Sequence, residues 1–100
     1  MKHKWLIVPS NKKEFDKFMV KLPANDRLAI FAALAELAQA DNPCAVLGVK
    51  KICSEGSWRQ RAGDYRIKYQ VVPGIVLHLK CEYKGSIVIE KIDHRKNVYR

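Results

Sequence analysis

Trp58-Arg59-Gln60-Arg61-Ala62-Gly63-Asp64-Tyr65-Arg66-Ile67 is the stretch that decides the fold. It reads as a strand, a two-residue Gly-Asp turn and a returning strand. Arg59 and Arg61 stand two apart, so they share one face of the first strand. Arg66 lies just past the turn and can return to that face. Three guanidinium forks on a rigid hairpin suit the binding of a phosphate. The same residues allow plainer readings: solvated arginines, or Arg66 pairing with Asp64 to fix the turn. Trp58 reads as a core residue, with base stacking as its other use.

The chain before the hairpin is helical. Lys4 to Val8 reads as a short strand stopped by Pro9. Asn11 is a fair N-cap, with Glu14 three residues on. The helix that follows carries Phe15, Phe18, Met19 and Leu22 on one face and ends near Leu22-Pro23. A second helix is predicted from about Ala24 to Ala40. Its wide apolar face includes Leu28, Ile30, Phe31, Leu34, Leu37 and Ala38, as expected of a helix sandwiched between the first helix and a sheet. Asp41-Asn42-Pro43 ends it. Residues 44–57 read as a connector.

From Trp58 onward the chain reads as strand, with breaks at Gly63-Asp64, Pro73-Gly74 and Lys84-Gly85. The fold class is therefore α+β: an N-terminal helical hairpin packed on one face of a small, mostly antiparallel twisted sheet. Residues 1–100 read as one domain.

Charge narrows the partners. The chain carries 19 Lys+Arg against 10 Asp+Glu, a formal net charge of +9. Residues 1–57 account for +3 and residues 58–100 for +6, and five of the six arginines lie in the second part. Such segregation points to a polyanion: RNA, DNA or an acidic protein segment. Lys12, Lys13, Lys17 and Lys21 form a basic helix face, either merely solvated or in contact with RNA phosphates, and Lys51 joins this set. No apolar run approaches the roughly 18 residues of a membrane span. The four-residue apolar run ending at Pro9 is too short for a signal peptide, so a cytoplasmic chain without membrane contact is expected. Cys44, Cys53 and Cys81 are odd in number and far apart. They read as small buried hydrophobes rather than a disulfide or metal framework.

The hairpin, the order of elements before it and the ending Ile92-Asp93-His94-Arg95-Lys96-Asn97-Val98-Tyr99-Arg100 together resemble the RelE/ParE family of toxins, closer to its RelE-type members. The resemblance extends over most of the chain. It implies a RelE/ParE-like fold and the toxin of a toxin–antitoxin pair. The implied activity is a ribosome-dependent endoribonuclease, an mRNA interferase that inhibits translation by cutting mRNA in the A site. The RNA 2′-hydroxyl attacks the adjacent phosphate and leaves a 2′,3′-cyclic phosphate; no cofactor or metal takes part. The implied partners are a cognate antitoxin, the ribosome and mRNA, with operator DNA reached only through the antitoxin complex. Carried over by position, the implied catalytic residues are Arg59, Arg61, Arg66, His94, Arg95 and Tyr99. The residue types make chemical sense. An imidazole can take or give a proton near neutral pH, a phenol can do so more weakly or stack on a base, and arginines offset charge growing on phosphorus. His3 and His78 are read as structural.

Two alternatives stay open: a ParE-like DNA gyrase inhibitor, and a non-catalytic nucleic-acid-binding module, a decayed toxin. The stretch from Arg66 to His94 is longer than the resemblance leads one to expect. A hairpin tipped at Lys84-Gly85 would set His94 opposite Ile75, far from Arg66. An extra turn, bulge or protruding loop around Pro73-Gly74 must then restore their proximity. With the chain ending at Arg100, no further C-terminal helix is expected. The site reading requires Arg59, Arg61, Arg66 and His94 to converge on one concave, positively charged surface.

Overall fold

The computed structural model describes residues 4–46, 49–52 and 56–94. Arg95 and Tyr99, together with His3 and Cys53, lie outside the described residues. The element order is β1 (Leu6–Pro9), α1 (Lys12–Val20), α2 (Ala24–Gln39), β2 (Lys50–Ile52), β3 (Ser57–Ala62), β4 (Tyr65–His78) and β5 (Cys81–His94). The strands form one five-stranded sheet in the order β1-β5-β4-β3-β2. The β1–β5 pair is parallel and every other pair is antiparallel. Both helices pack on one face, as the α+β reading requires.

Local chemistry places the helices. The Asn11 side chain accepts a hydrogen bond from the Glu14 amide, satisfying one of the orphan donors at the start of α1. Met19 is buried, and Phe15, Phe18 and Leu22 pack against the core beside it. In α2, Ile30, Ala33, Leu34, Leu37 and Ala38 face inward. Leu28 and Phe31 do not. They remain 66% and 50% exposed, so α2 lies on the sheet with an open outer side rather than sandwiched. A helix covered on one side can bury only one stripe of its apolar residues.

The sheet supplies the other half of the core through Ala62, Tyr65, Ile67, Tyr69, Ile87 and Ile89. Tyr69 is fully buried and donates its hydroxyl proton to the Pro43 carbonyl at 2.7 Å. Burial, and then the nearby Cys44 thiol, hold its pKa well above the ordinary phenol range, so the hydroxyl keeps its proton. A bulge between Lys68 and Tyr69 keeps β5 in phase: Lys68 pairs with Lys91, whereas Tyr69 pairs with Ile89. Glu90 is the extra residue. The phase change sends Ile87 and Ile89 to the helix side while Lys91 stays on the other.

The main departure from expectation is the second hairpin. Its turn is at Leu79-Lys80, not Lys84-Gly85, and β4 and β5 run 14 residues each. Pro73 and Gly85 face each other within the ladder, beside a second bulge. Gly85 marks a close approach rather than a turn. A Cβ there would stand 2.3 Å from the Val72 carbonyl oxygen and 2.7 Å from the Trp5 ring. Residues 44–57 are not wholly a connector either, since Lys50–Ile52 adds an edge strand. Of the cysteines, Cys44 is half-buried and Cys81 is exposed near the turn; the burial expected of them fails where β5 leaves the body.

Candidate nucleic-acid interface

The Gly63-Asp64 turn does what its sequence predicts. Gly63 adopts φ 61°, a region costly for a side chain with a Cβ, and sets β3 against β4 with Arg61 opposite Arg66. Directly paired residues share a face, so the register assigns each charge to a side. Arg59 pairs with Lys50 on β2 and Lys68 on β4, and Lys68 pairs with Lys91 on β5. Lys50, Arg59, Lys68 and Lys91 thus form one cross-strand row over four strands. Strands lie about 4.8 Å apart, so the row spans roughly 14 Å. Arg61, Arg66 and Asp93 form the adjacent row.

Like charges directly opposite one another destabilise a sheet. Two carboxylates relieve this row in part. Glu90 stands 3.6 Å from Lys68 and also accepts a hydrogen bond from the Ser57 hydroxyl, and Asp93 stands 3.5 Å from Lys91. Lys50, Lys68 and Lys91 were not singled out in the sequence. The signal for Lys68 was present, because a two-residue turn at 63–64 puts residue 68 opposite residue 59.

Arg66 is held rather than presented. It is 5% exposed, and its guanidinium donates to the Tyr65 carbonyl at 3.0 Å and the Gly63 carbonyl at 3.4 Å. It fastens the start of β4 and the turn.

His94 corrects the expected convergence. It pairs with Tyr65, one residue from the Arg66–Asp93 pair, so the extended hairpin brings it near Arg66 in sequence register. The two side chains leave on opposite faces. The His94 ring stands edge-on to the Tyr65 ring at 5.3 Å, and Tyr65 in turn meets the Phe18 ring of α1 at 6.0 Å. The Tyr65 hydroxyl lies 3.4 Å from an Asp26 carboxylate oxygen on α2. Desolvation, reinforced by Asp26, raises the Tyr65 pKa. His94 therefore belongs to the helix side, and the four residues do not share one surface. The alternation of side chains along β4 and β5 is the physical reason.

The basic residues also divide between the faces. Lys51 pairs with Trp58 on the helix side, its ammonium 6.0 Å from the ring centre. Trp58 is half-buried against the core. Lys12, Lys13, Lys17 and Lys21 are all exposed on or beside α1, and Lys12 pairs with Asp16 at 2.8 Å. Among the described residues no group of three or more His, Cys, Asp or Glu is disposed to hold a metal ion. No described helix is long and apolar enough to cross a membrane.

The architecture matches solved structures. A chain of the RelB–RelE antitoxin–toxin complex from Methanococcus jannaschii superimposes with a TM-score of 0.57 at 23% identity, covering 94% of each chain. This chain has a RelE-like fold. A chain of the toxin–antitoxin complex RelBE2 from Mycobacterium tuberculosis is similar as well. It has a TM-score of 0.50 and 24% identity, over 92% of this chain and 99% of that one. No protein-family model matches the sequence, and no curated protein matches it. Within the RelE-like fold, the helices occupy one side of the sheet and the cross-strand basic row the other.

Proposed function

We propose that this chain is the toxin of a toxin–antitoxin pair and acts in the cytoplasm as a ribosome-dependent endoribonuclease on mRNA. The observation that carries the reading is the row Lys50-Arg59-Lys68-Lys91, with Arg61 beside it, on the helix-free face of a RelE-like fold. Folding alone does not account for four cations in register. A phosphate backbone laid across the strands does.

In this reading Arg59 and Arg61 hold the scissile phosphate and offset the charge that grows on it as the 2′-hydroxyl attacks. Arg66 positions Arg61 by fixing the turn. The acid–base work falls to the C-terminal end, to His94 with Arg95 and Tyr99. Since His94 faces the helix side, it has to act around the end of the sheet, where the Tyr65–His94 pair adjoins the Arg66–Asp93 pair. One proton leaves the 2′-hydroxyl, one reaches the departing 5′-oxygen, and a 2′,3′-cyclic phosphate remains. The partners are a cognate antitoxin that covers the toxin, the ribosome and its mRNA. Operator DNA is met only through the antitoxin complex. The lysines of α1 form a second basic surface suited to ribosomal RNA, and Lys51, at the β2 edge of the sheet, is a separate basic contact.

The opposite facing of His94 and the arginines favours one other reading, a nucleic-acid-binding module without cleavage. Toe-print mapping on translating ribosomes separates the two. Cleavage reads as A-site cuts by the wild type, reduced at least ~10²-fold in His94→Ala. Wild-type rates in His94→Ala remove that residue from the chemistry. Ribosome binding without cuts establishes the binding module, and gyrase-dependent DNA breaks instead would give the chain to the ParE-like alternative.

A further inference from the structure

The outer half of the β4–β5 hairpin is an arm that nothing in the fold explains. β3 accompanies β4 only as far as Tyr69, and β1 accompanies β5 only from Ser86. Beyond the Lys84 amide, which donates to the Lys4 carbonyl at 2.8 Å, the two strands pair among the described residues only with each other up to the Leu79-Lys80 turn. Ile75, Leu77 and Leu79 are 74%, 75% and 83% exposed there, with Val72 exposed at the root. Contiguous exposed aliphatic surface marks an interaction site.

The turn strengthens the case. Leu79 and Lys80 have φ 49° and 62°, the conformation for which glycine, asparagine and aspartate are the usual residues. A leucine there carries backbone strain and gains no burial within the chain.

We infer that the arm binds the arm of a second copy of this chain, giving a weak, two-fold symmetric dimer. Charge selects this occupant. Between Val72 and Tyr83 the only formally charged residues are Lys80 and Glu82, which cancel, while the whole chain is +9. The arm is thus where two such chains meet without apposing their cations, and it offers no cation row to a nucleic acid. Its length matters too. The six residue steps from Pro73 to Leu79 extend about 20 Å. That holds the two basic bodies apart by more than the ~8 Å Debye length of physiological salt, so their repulsion is largely screened. The area fits a weak contact. A dozen residues per copy at the usual ~30–40 Å² each bury about 800 Å² in total, the low end of specific interfaces. The contact is isologous, with β4 of one copy against β4 of the other, since Ile75 and Leu77 both lie on β4.

Sedimentation velocity of the full chain, from about 1 to 200 μM, tests this. The expected result is a mass rising from one chain towards two over that range. The double variant L77K/L79K should remain monomeric throughout, an apparent weakening of at least ~10-fold, with unchanged circular dichroism and melting temperature. A wild type that stays monomeric at the highest concentration would overturn the inference, as would an L77K/L79K variant that still dimerises. Monomeric wild type captured by phosphatidylserine vesicles, with loss in the variant, would also overturn it and reassign the arm to a membrane surface.

Discussion

The two halves of the β4–β5 hairpin are made by the same ladder and live in opposite surroundings. Near Tyr65 and His94 the strands are flanked by β3 and covered by both helices, and Ile67, Tyr69 and Ile87 have no exposure at all. Beyond Pro73 and Gly85 the strands pair just as regularly, yet their aliphatic side chains stand in solvent. Backbone pairing therefore continues where burial stops. The inner half is held by packing and the outer half chiefly by its turn and its ladder, with one backbone hydrogen bond from Lys84 to Lys4 at its root. The inner half also bears the charge rows, because a rigid platform can fix several cations at once.

The largest expected effect separates the halves directly. Ile67→Ala should destabilise the protein by about 2–5 kcal/mol, through lost burial and the cavity left among Tyr69, Ile87 and α2. Leu77→Ala should cost less than about 0.5 kcal/mol, since it removes exposed surface. Urea midpoints for the two variants make the comparison. Equal losses would mean that the arm is packed in solution and that the division is wrong.

The boundary between the halves is the next point to break. Gly85→Ala places a methyl group against the Val72 carbonyl and the Trp5 ring, so a backbone or ring shift must follow, at about 1–3 kcal/mol. A fall in melting temperature together with altered Trp fluorescence is the expected signature. A neutral substitution would show that the close approach of β4, β5 and Trp5 is looser than described.

The smallest effect has the opposite sign. Leu79→Gly should relieve the left-handed turn and stabilise the hairpin by up to about 1 kcal/mol, because no burial is lost with the leucine. Destabilisation of a monomeric sample would mean that Leu79 is packed within its own chain.

Much of the inner half was legible in the sequence. The Gly63-Asp64 turn fixed β3 and β4, and Asn11 and Pro23 bounded the helices; the buried face of β4 was open to reading from the alternation of Tyr65, Ile67 and Tyr69 but was not drawn from it. The bulge at Glu90 was legible in principle: Ile87 and Ile89 are two apart, but Ile92 follows after three, which requires one extra residue. The outer half was misread because Pro73-Gly74 and Lys84-Gly85 carry turn chemistry. In the fold they sit across from each other at a bulge and a close approach, while the turn falls on Leu79-Lys80, residues with no turn preference. The site was legible only in part. Arg59 and Arg61 share a face as their spacing demands, and Lys68 follows from the same turn. Lys50 and Lys91 required the pairing of β2 and β5, which local sequence does not encode. The facing of His94 also depended on the phase of β5, and that followed from the misplaced turn.

The central claim is that nucleic acid meets the helix-free face through its cross-strand cations. The most direct measurement is the salt dependence of binding to a single-stranded RNA oligonucleotide by wild type and by the Arg59→Ala/Arg61→Ala double variant, at equal melting temperature. Two lost phosphate contacts should make the slope of log affinity against log salt shallower by about 1.4 and weaken binding at low salt, whereas Lys12→Ala/Lys13→Ala on α1 should change it less. An unchanged slope in the arginine variant, with the loss appearing in the α1 variant instead, would contradict the claim and move the interface to the helix side.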